Sequence, residues 1–195
     1  MKRRLKIKIG FLSVLLFAVL AITRPLYFPA LLLSVLLHEL GHLIGARICN
    51  IPMRELRIGI FGAGLTPAEL LISYKKEIVL CLGGPLANFL SVFLLMIFFK
   101  SHTTALYGFI TSSLALGTLN MLPIYSFDGG RICSATLSML ISPKAARAIM
   151  NVISFLLIFT FWALSVYLLL RVSSSLSLFV FSAYLFAKIF ISSPE

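Results

Sequence analysis

His38, Glu39 and His42 have the types and spacing of a hydrolytic metal centre. An i, i+4 separation puts both imidazoles on one helix face, one turn apart, so both can reach one metal ion. Glu39 projects about 100° round the helix from His38, close enough to reach a water held at the metal without binding the metal itself. Two histidines, a general base and an activated water make hydrolysis. A bare H-E-x-x-H fixes only three positions, and in a soluble chain chance could supply it. Here it lies in an apolar run, Tyr27 to Ala46, long enough to sit in a membrane. Ionisable side chains at a bilayer centre cost about 2.5–3.5 kcal/mol each on insertion scales, so three within five positions argue for a ligand set rather than a satisfied core.

A catalytic zinc needs a third protein ligand and an open position for water. The remaining histidine, His102, lies in a polar loop on the far side. Glu55, Glu69 and Glu77 fall in an interfacial segment and Glu195 is terminal, which leaves Asp128. Asp128 follows the break at Pro123 and precedes Gly129-Gly130, where a helix can start deep in a bundle. Its alternative role is a helix N-cap, but a charge at this depth favours ligation. His38, His42 and Asp128 are therefore expected to hold one zinc ion (Zn2+). Glu39 is expected to take a proton from the attacking water and pass it to the leaving amine. A peptide substrate must be held extended, because helical amides are already paired. Gly83-Gly84-Pro85 with Asn88, and Asn120 with Pro123, could supply that hold. They could equally kink and pack helices, and spacing leaves the two readings open.

The elements that must position these residues are read from composition. The chain has 195 residues, 60% hydrophobic and 12% charged, against about 45–50% and about 25% in soluble domains. The mean hydropathy is +1.06. The expected class is an all-α polytopic membrane protein of one domain, residues 1–195, with about six spans of about 20 residues and a catalytic core near 27–141. The spans are 9–23, 27–46, 78–99, 106–122, 145–170 and 176–191. The basic start followed by a short apolar run also describes a signal peptide, with Ala18-Val19-Leu20-Ala21 as a weak cleavage site. Between the second and third spans, 49–77 is too polar to cross. It reads as a small β-hairpin or re-entrant element: a strand over 51–60, a turn at Phe61-Gly62-Ala63-Gly64 and a partner strand at 70–74.

A net charge of +11 could suggest nucleic acid. The basic residues lie in the gaps between apolar runs, which points instead to the positive-inside bias and to anionic lipids, with no nucleic acid partner. With six spans and an inside start, 14 of the 17 Lys and Arg fall on one side, and only Arg24, Lys100 and Arg171 on the other. Both termini are then cytoplasmic, and the histidines lie in the cytoplasmic half of the second span. Cys49, Cys81 and Cys133 have no CxxC spacing and read as reduced thiols.

Three stretches, His38-Glu39-Leu40-Gly41-His42, Gly84-Pro85-Leu86-Ala87-Asn88, and Asn120-Met121-Leu122-Pro123 followed by Asp128-Gly129-Gly130, together resemble the ordered signatures of the site-2 protease family. These are intramembrane zinc metalloproteases. The resemblance implies zinc ligands at His38, His42 and Asp128, a base at Glu39, and substrate contacts near Asn88, Asn120, Pro123 and Pro85. Within the family the layout is most similar to the stage IV sporulation protein FB group, although the C-terminal CBS-type domain of many members is not expected here. That group implies a bacterial cell-membrane enzyme that processes a sporulation sigma-factor precursor under inhibitory or anchoring membrane partners. The alternatives are cleavage of anti-sigma factors or signal-peptide remnants and, in another class, a non-proteolytic membrane zinc binder or transporter.

Overall fold

The computed structural model describes residues 6–9, 21–22, 24–59, 62–67, 72–98, 103–172, 179–180 and 182–186, with the side chains of 6–9, 54–59, 62–67 and 172 excepted. The described elements are β1 (Lys6–Ile9), α1 (Phe28–Ile48), β2 (Met53–Gly59), β3 (Gly62–Pro67), α2 (Tyr74–Phe98), α3 (Thr104–Asn120), α4 (Asp128–Leu140) and α5 (Pro143–Val172). Among them, three helices are long and apolar enough to cross a membrane: Phe28–Ile48, Tyr74–Phe98 and Pro143–Arg171. The expected fourth span is a helix of 17 residues. It stops at Asn120 because Pro123 disfavours helical geometry at the residue before it. Most of the expected first and sixth spans, and His102, lie outside the described residues.

Helix α1 has an outside of lipid-like character and a polar inside. Leu36, Leu40 and Ile44 are 56%, 49% and 52% exposed, while Ser34 and His38 on the other side are 0% and 4% exposed. A soluble helix reverses this pattern; here the apolar stripe meets lipid and the polar residues face the bundle. Pro29 sits in the first turn, where its missing N–H costs nothing. The C-terminus closes as a Schellman motif: Asn50 takes positive φ (53°), Ile51 N–H donates to Ala46 O (2.8 Å) and Asn50 N–H to Arg47 O (3.2 Å). The accompanying apolar contact is present, with Ala46 and Ile51 buried together against Leu80 of α2.

The central contact of the bundle is α1 against α2, and α2 also packs on α3 and α4. Helices in lipid gain no hydrophobic energy by meeting, so they associate where small residues let backbones touch. Gly41 and Gly83 do this: a Cβ on either would run into the other's carbonyl. Gly45, four residues further on, approaches Val79 O in the same way, at 2.9 Å from a built Cβ. A polar pair, Ser34 Oγ and Ser113 Oγ (2.9 Å), ties α1 to α3.

Between α1 and α2, β2 pairs antiparallel with β3 in a register that sets Leu56 opposite Leu65 and Gly59 opposite Gly62. Two details differ from the sequence expectation. The strand paired with β2 is Gly62–Pro67, so the glycines read as a turn take part in pairing, while residues 70–71 of the expected partner 70–74 lie outside the described residues. Tyr74 instead opens α2. Secondly, Lys6–Ile9 of the basic start adds a third strand, parallel to β2, with Lys6 opposite Glu55.

Candidate metal centre

Three atoms from three turns of helix meet. His38 Nε2 and His42 Nε2 are 3.1 Å apart, and each is 3.2 Å from Asp128 Oδ2. All three residues are buried, at 4%, 7% and 8% exposure. Among the described residues they are the group of histidine and acidic side chains that could hold a metal ion. Tetrahedral bonds of about 2.0–2.1 Å place ligand atoms about 3.3 Å apart, so this triangle has the size of one face of a zinc site. The tautomer fits as well. His42 Nδ1 lies 2.8 Å from Leu80 O. A carbonyl only accepts, so Nδ1 carries the proton, and in the neutral ring Nε2 then presents a bare lone pair. Two imidazole nitrogens and a carboxylate oxygen converging in a buried place form a group that could hold a metal ion.

Each ligand is placed by a local feature of the sequence. His38 and His42 stack along α1 with their rings edge to face, 4.7 Å between centroids. Asp128 occupies the first turn of α4, whose N-cap is Phe127, so the carboxylate is not spent on capping. Gly129 and Gly130 let α4 start directly against the preceding turn: a Cβ on either would strike the carbonyls of Met121 and Ile124. Ser154 of α5 holds that turn from the other side, its Oγ accepting from Tyr125 N–H (2.9 Å).

Glu39 is 7% exposed, and its Oε2 is buried without a hydrogen-bond partner. A buried carboxylate oxygen with nothing to accept from is expensive unless it faces a group absent from the polypeptide, such as a water at the metal. Gly84 leaves the space in front of the histidines open. A Cβ built on it would lie 2.5 Å from His42 Nε2 and 2.7 Å from His38 Nε2.

The residues expected to hold substrate take different positions. Pro85, inside α2, and Asn88 are fully buried. Asn88 Nδ2 lies 3.4 Å from His38 Nδ1. Asn120 ends α3 and donates Nδ2 to Leu116 O (3.0 Å) in its own helix. Pro123 is half-buried in the turn before α4. Sequence reasoning missed the contribution of Leu80 O, which no side-chain pattern reveals, and the packing glycines of α1. The spacing Gly41-x-x-x-Gly45 was the available signal for the latter.

It also missed an ion pair. Arg131, one turn beyond Asp128, donates Nε and an Nη to Glu77 Oε1 of α2, both at 3.2 Å. This clamp ties α4 to α2 a turn away from the ligands. With the two side chains 34% and 26% exposed, Glu77→Gln is expected to lower unfolding stability by about 0.2–1 kcal/mol. Thermal unfolding in detergent would measure it.

The arrangement is that of a helical membrane protein carrying a two-histidine, one-aspartate ligand set with a free glutamate beside it. The profile of peptidase family M50 matches residues 27–105 and 99–161, and this chain belongs to that family. A zinc metalloprotease of Methanocaldococcus jannaschii is 32% identical over 117 residues, 57% of this chain and 34% of that protein. The match thus spans about a third of the relative's length. The solved structure of a site-2 protease from the same organism superposes with a TM-score of 0.69 at 23% identity, covering 98% of this chain and 92% of the other. The fold is therefore the site-2 protease fold, and the protein belongs in a membrane.

Proposed function

We propose that this protein is a zinc-dependent intramembrane endopeptidase that cleaves a membrane-associated regulatory protein near the cytoplasmic face. The observation that carries the reading is the buried triangle of His38, His42 and Asp128 with the unpartnered Glu39 oxygen beside it. His38 Nε2, His42 Nε2 and Asp128 Oδ2 would hold one zinc ion, which when bound supplies Lewis-acid activation of water and of the scissile carbonyl. Glu39 takes the proton from the attacking water and returns it to the leaving amine. The α1–α2 contact excludes bulk water from the histidines. A cleft of about 280 Å³ lined by Tyr74, Glu77, Tyr125, Arg131, Ser134 and Ser138, among others, reaches within a turn of Asp128 and offers a wet approach.

The site lies toward the end of the bundle where α1 finishes and α2 and α4 begin. His38 is at the midpoint of α1, and His42 is six residues, about 9 Å, from its end and fourteen from its start. With the basic residues of that end in the cytoplasm, cleavage falls on the cytoplasmic side. The setting is a bacterial cell membrane with both termini inside, contacts to anionic lipids, and control by inhibitory or anchoring membrane proteins. The specific substrate proposed is a membrane-tethered sporulation sigma-factor precursor.

The test is purified protein with that precursor in detergent or vesicles. Chelation is expected to abolish cleavage and stoichiometric zinc to restore it. Undiminished cleavage by metal-free protein would remove the metal from the mechanism. Cleavage of a signal-peptide remnant with the precursor left intact would reassign the substrate.

A further inference from the structure

We propose that Asn88 is a positioning residue for the metal centre rather than a substrate contact, with its amide oxygen accepting from His38 Nδ1–H. The assignment rests on the metal-site reading above. Leu80, Gly84 and Asn88 follow one another at i, i+4 and i+8 along α2 and so form one stripe. Helix α1 runs antiparallel to it, with His42 opposite Leu80 and His38 opposite Asn88. Gly84 between them leaves room for both rings. At one end of the stripe, Leu80 O accepts from His42 Nδ1–H and fixes the tautomer that frees Nε2. At the other end, His38 needs the same service and Asn88 is the group in place.

Two features of Asn88 say which way its amide turns. As placed, Nδ2 lies 3.4 Å from His38 Nδ1, and Oδ1 is fully buried with no donor near it. If His38 Nδ1 carries the proton, two donors face each other. If it does not, the proton sits on His38 Nε2, aimed at His42 Nε2 and Asp128 Oδ2, and that nitrogen is lost as a ligand. The oxygen and nitrogen of a carboxamide have nearly the same shape, and their assignment follows the hydrogen-bond network. Interchanging them turns the donor–donor contact into N–H···O and gives the orphaned oxygen a donor. Asn88 is 0% exposed, so a substrate could reach it only by displacing α1 or α2.

The test compares Asn88→Asp, which keeps an acceptor of the same shape, with Asn88→Leu, which keeps the bulk and loses the acceptor. The readouts are the affinity of the purified full chain for Co2+ and Zn2+, and the His38 tautomer in metal-free wild type at pH 8 by 15N NMR. Asn88→Leu is expected to bind metal about 10–100-fold more weakly, and Asn88→Asp within about threefold of wild type. His38 in wild type is expected to carry its proton on Nδ1, a result that does not depend on either variant folding. Three outcomes would overturn the assignment: equal weakening by both variants, an Asn88→Leu protein that binds metal normally while its KM rises, or a proton on Nε2. Wild type that takes up no metal would overturn the metal centre itself, and this assignment with it.

Discussion

Replacing Glu39 by glutamine is expected to leave zinc bound and to slow peptide cleavage by about 10²–10⁴-fold. The three atoms that define the metal triangle belong to His38, His42 and Asp128, and none belongs to Glu39. Glutamine has nearly the same volume, so neither the α1 backbone nor the packing beside the site has cause to move. What changes is proton affinity: a carboxamide cannot take a proton from the attacking water. The predicted loss corresponds to about 3–5 kcal/mol of transition-state stabilisation. Metal content and cleavage rate must be measured on the same preparation. Retained zinc with lost activity assigns the base; retained activity would show that another group takes the proton; lost zinc would mean that Glu39 is needed to balance the ligand charge.

The second large effect is expected at a residue with no side chain. Gly84→Ala adds one methyl group, at 2.5 Å from His42 Nε2, 2.6 Å from His42 Cε1 and 2.7 Å from His38 Nε2. All three distances are shorter than real contacts allow. The imidazoles are the softest neighbours, since they rotate about two torsions while the α1 and α2 backbones meet at Gly41 and Gly83. The rings therefore swing out of the triangle, and His42 gives up Leu80 O. Overpacking of this kind costs about 1–3 kcal/mol, here charged mainly to the ligand geometry. Zinc affinity is expected to fall by about 5–150-fold while the protein remains helical. Gly45→Ala is the control. Its Cβ would meet Val79 O at 2.9 Å and no ligand atom, so thermal stability should fall and metal affinity should hold. Equal zinc binding by Gly84→Ala and wild type would show that the space before the histidines is not filled as described.

Much of the site was legible because its chemistry is expensive in lipid. An apolar run does not carry His38, Glu39 and His42 without use, and Asp128 was almost the last buried acid left. The roles of the amides were not legible. Asn88 and Asn120 look alike in sequence, yet one is buried against His38 and the other donates into its own helix. Side-chain type does not say which neighbour an amide meets; helix rotation and depth do. The first strand of the hairpin was legible, since Met53–Gly59 lies within the expected 51–60, but the position of its partner was not, for a related reason. Tyr74 of the strand-like stretch 70–74 opens α2, residues 70–71 lie outside the described residues, and β2 pairs with the glycine-containing Gly62–Pro67, which propensity alone does not favour. The parallel strand at Lys6–Ile9 pairs with residues about fifty positions away, beyond any local pattern.

By itself, then, the sequence determined the solvent and the reacting groups. Composition pointed to a membrane, spacing put two histidines on one helix face, and the scarcity of buried acids singled out Asp128 as their candidate partner. The tertiary structure alone decided how those groups are held. Backbone contact at Gly41 and Gly83 sets α1 against α2, Leu80 O orients His42, and the glycines after Asp128 bring a carboxylate from 86 residues away to 3.2 Å from His42. These are backbone atoms and voids. They have no signature in residue type, and they arise when helices pack closely enough for one main chain to serve the side chains of another.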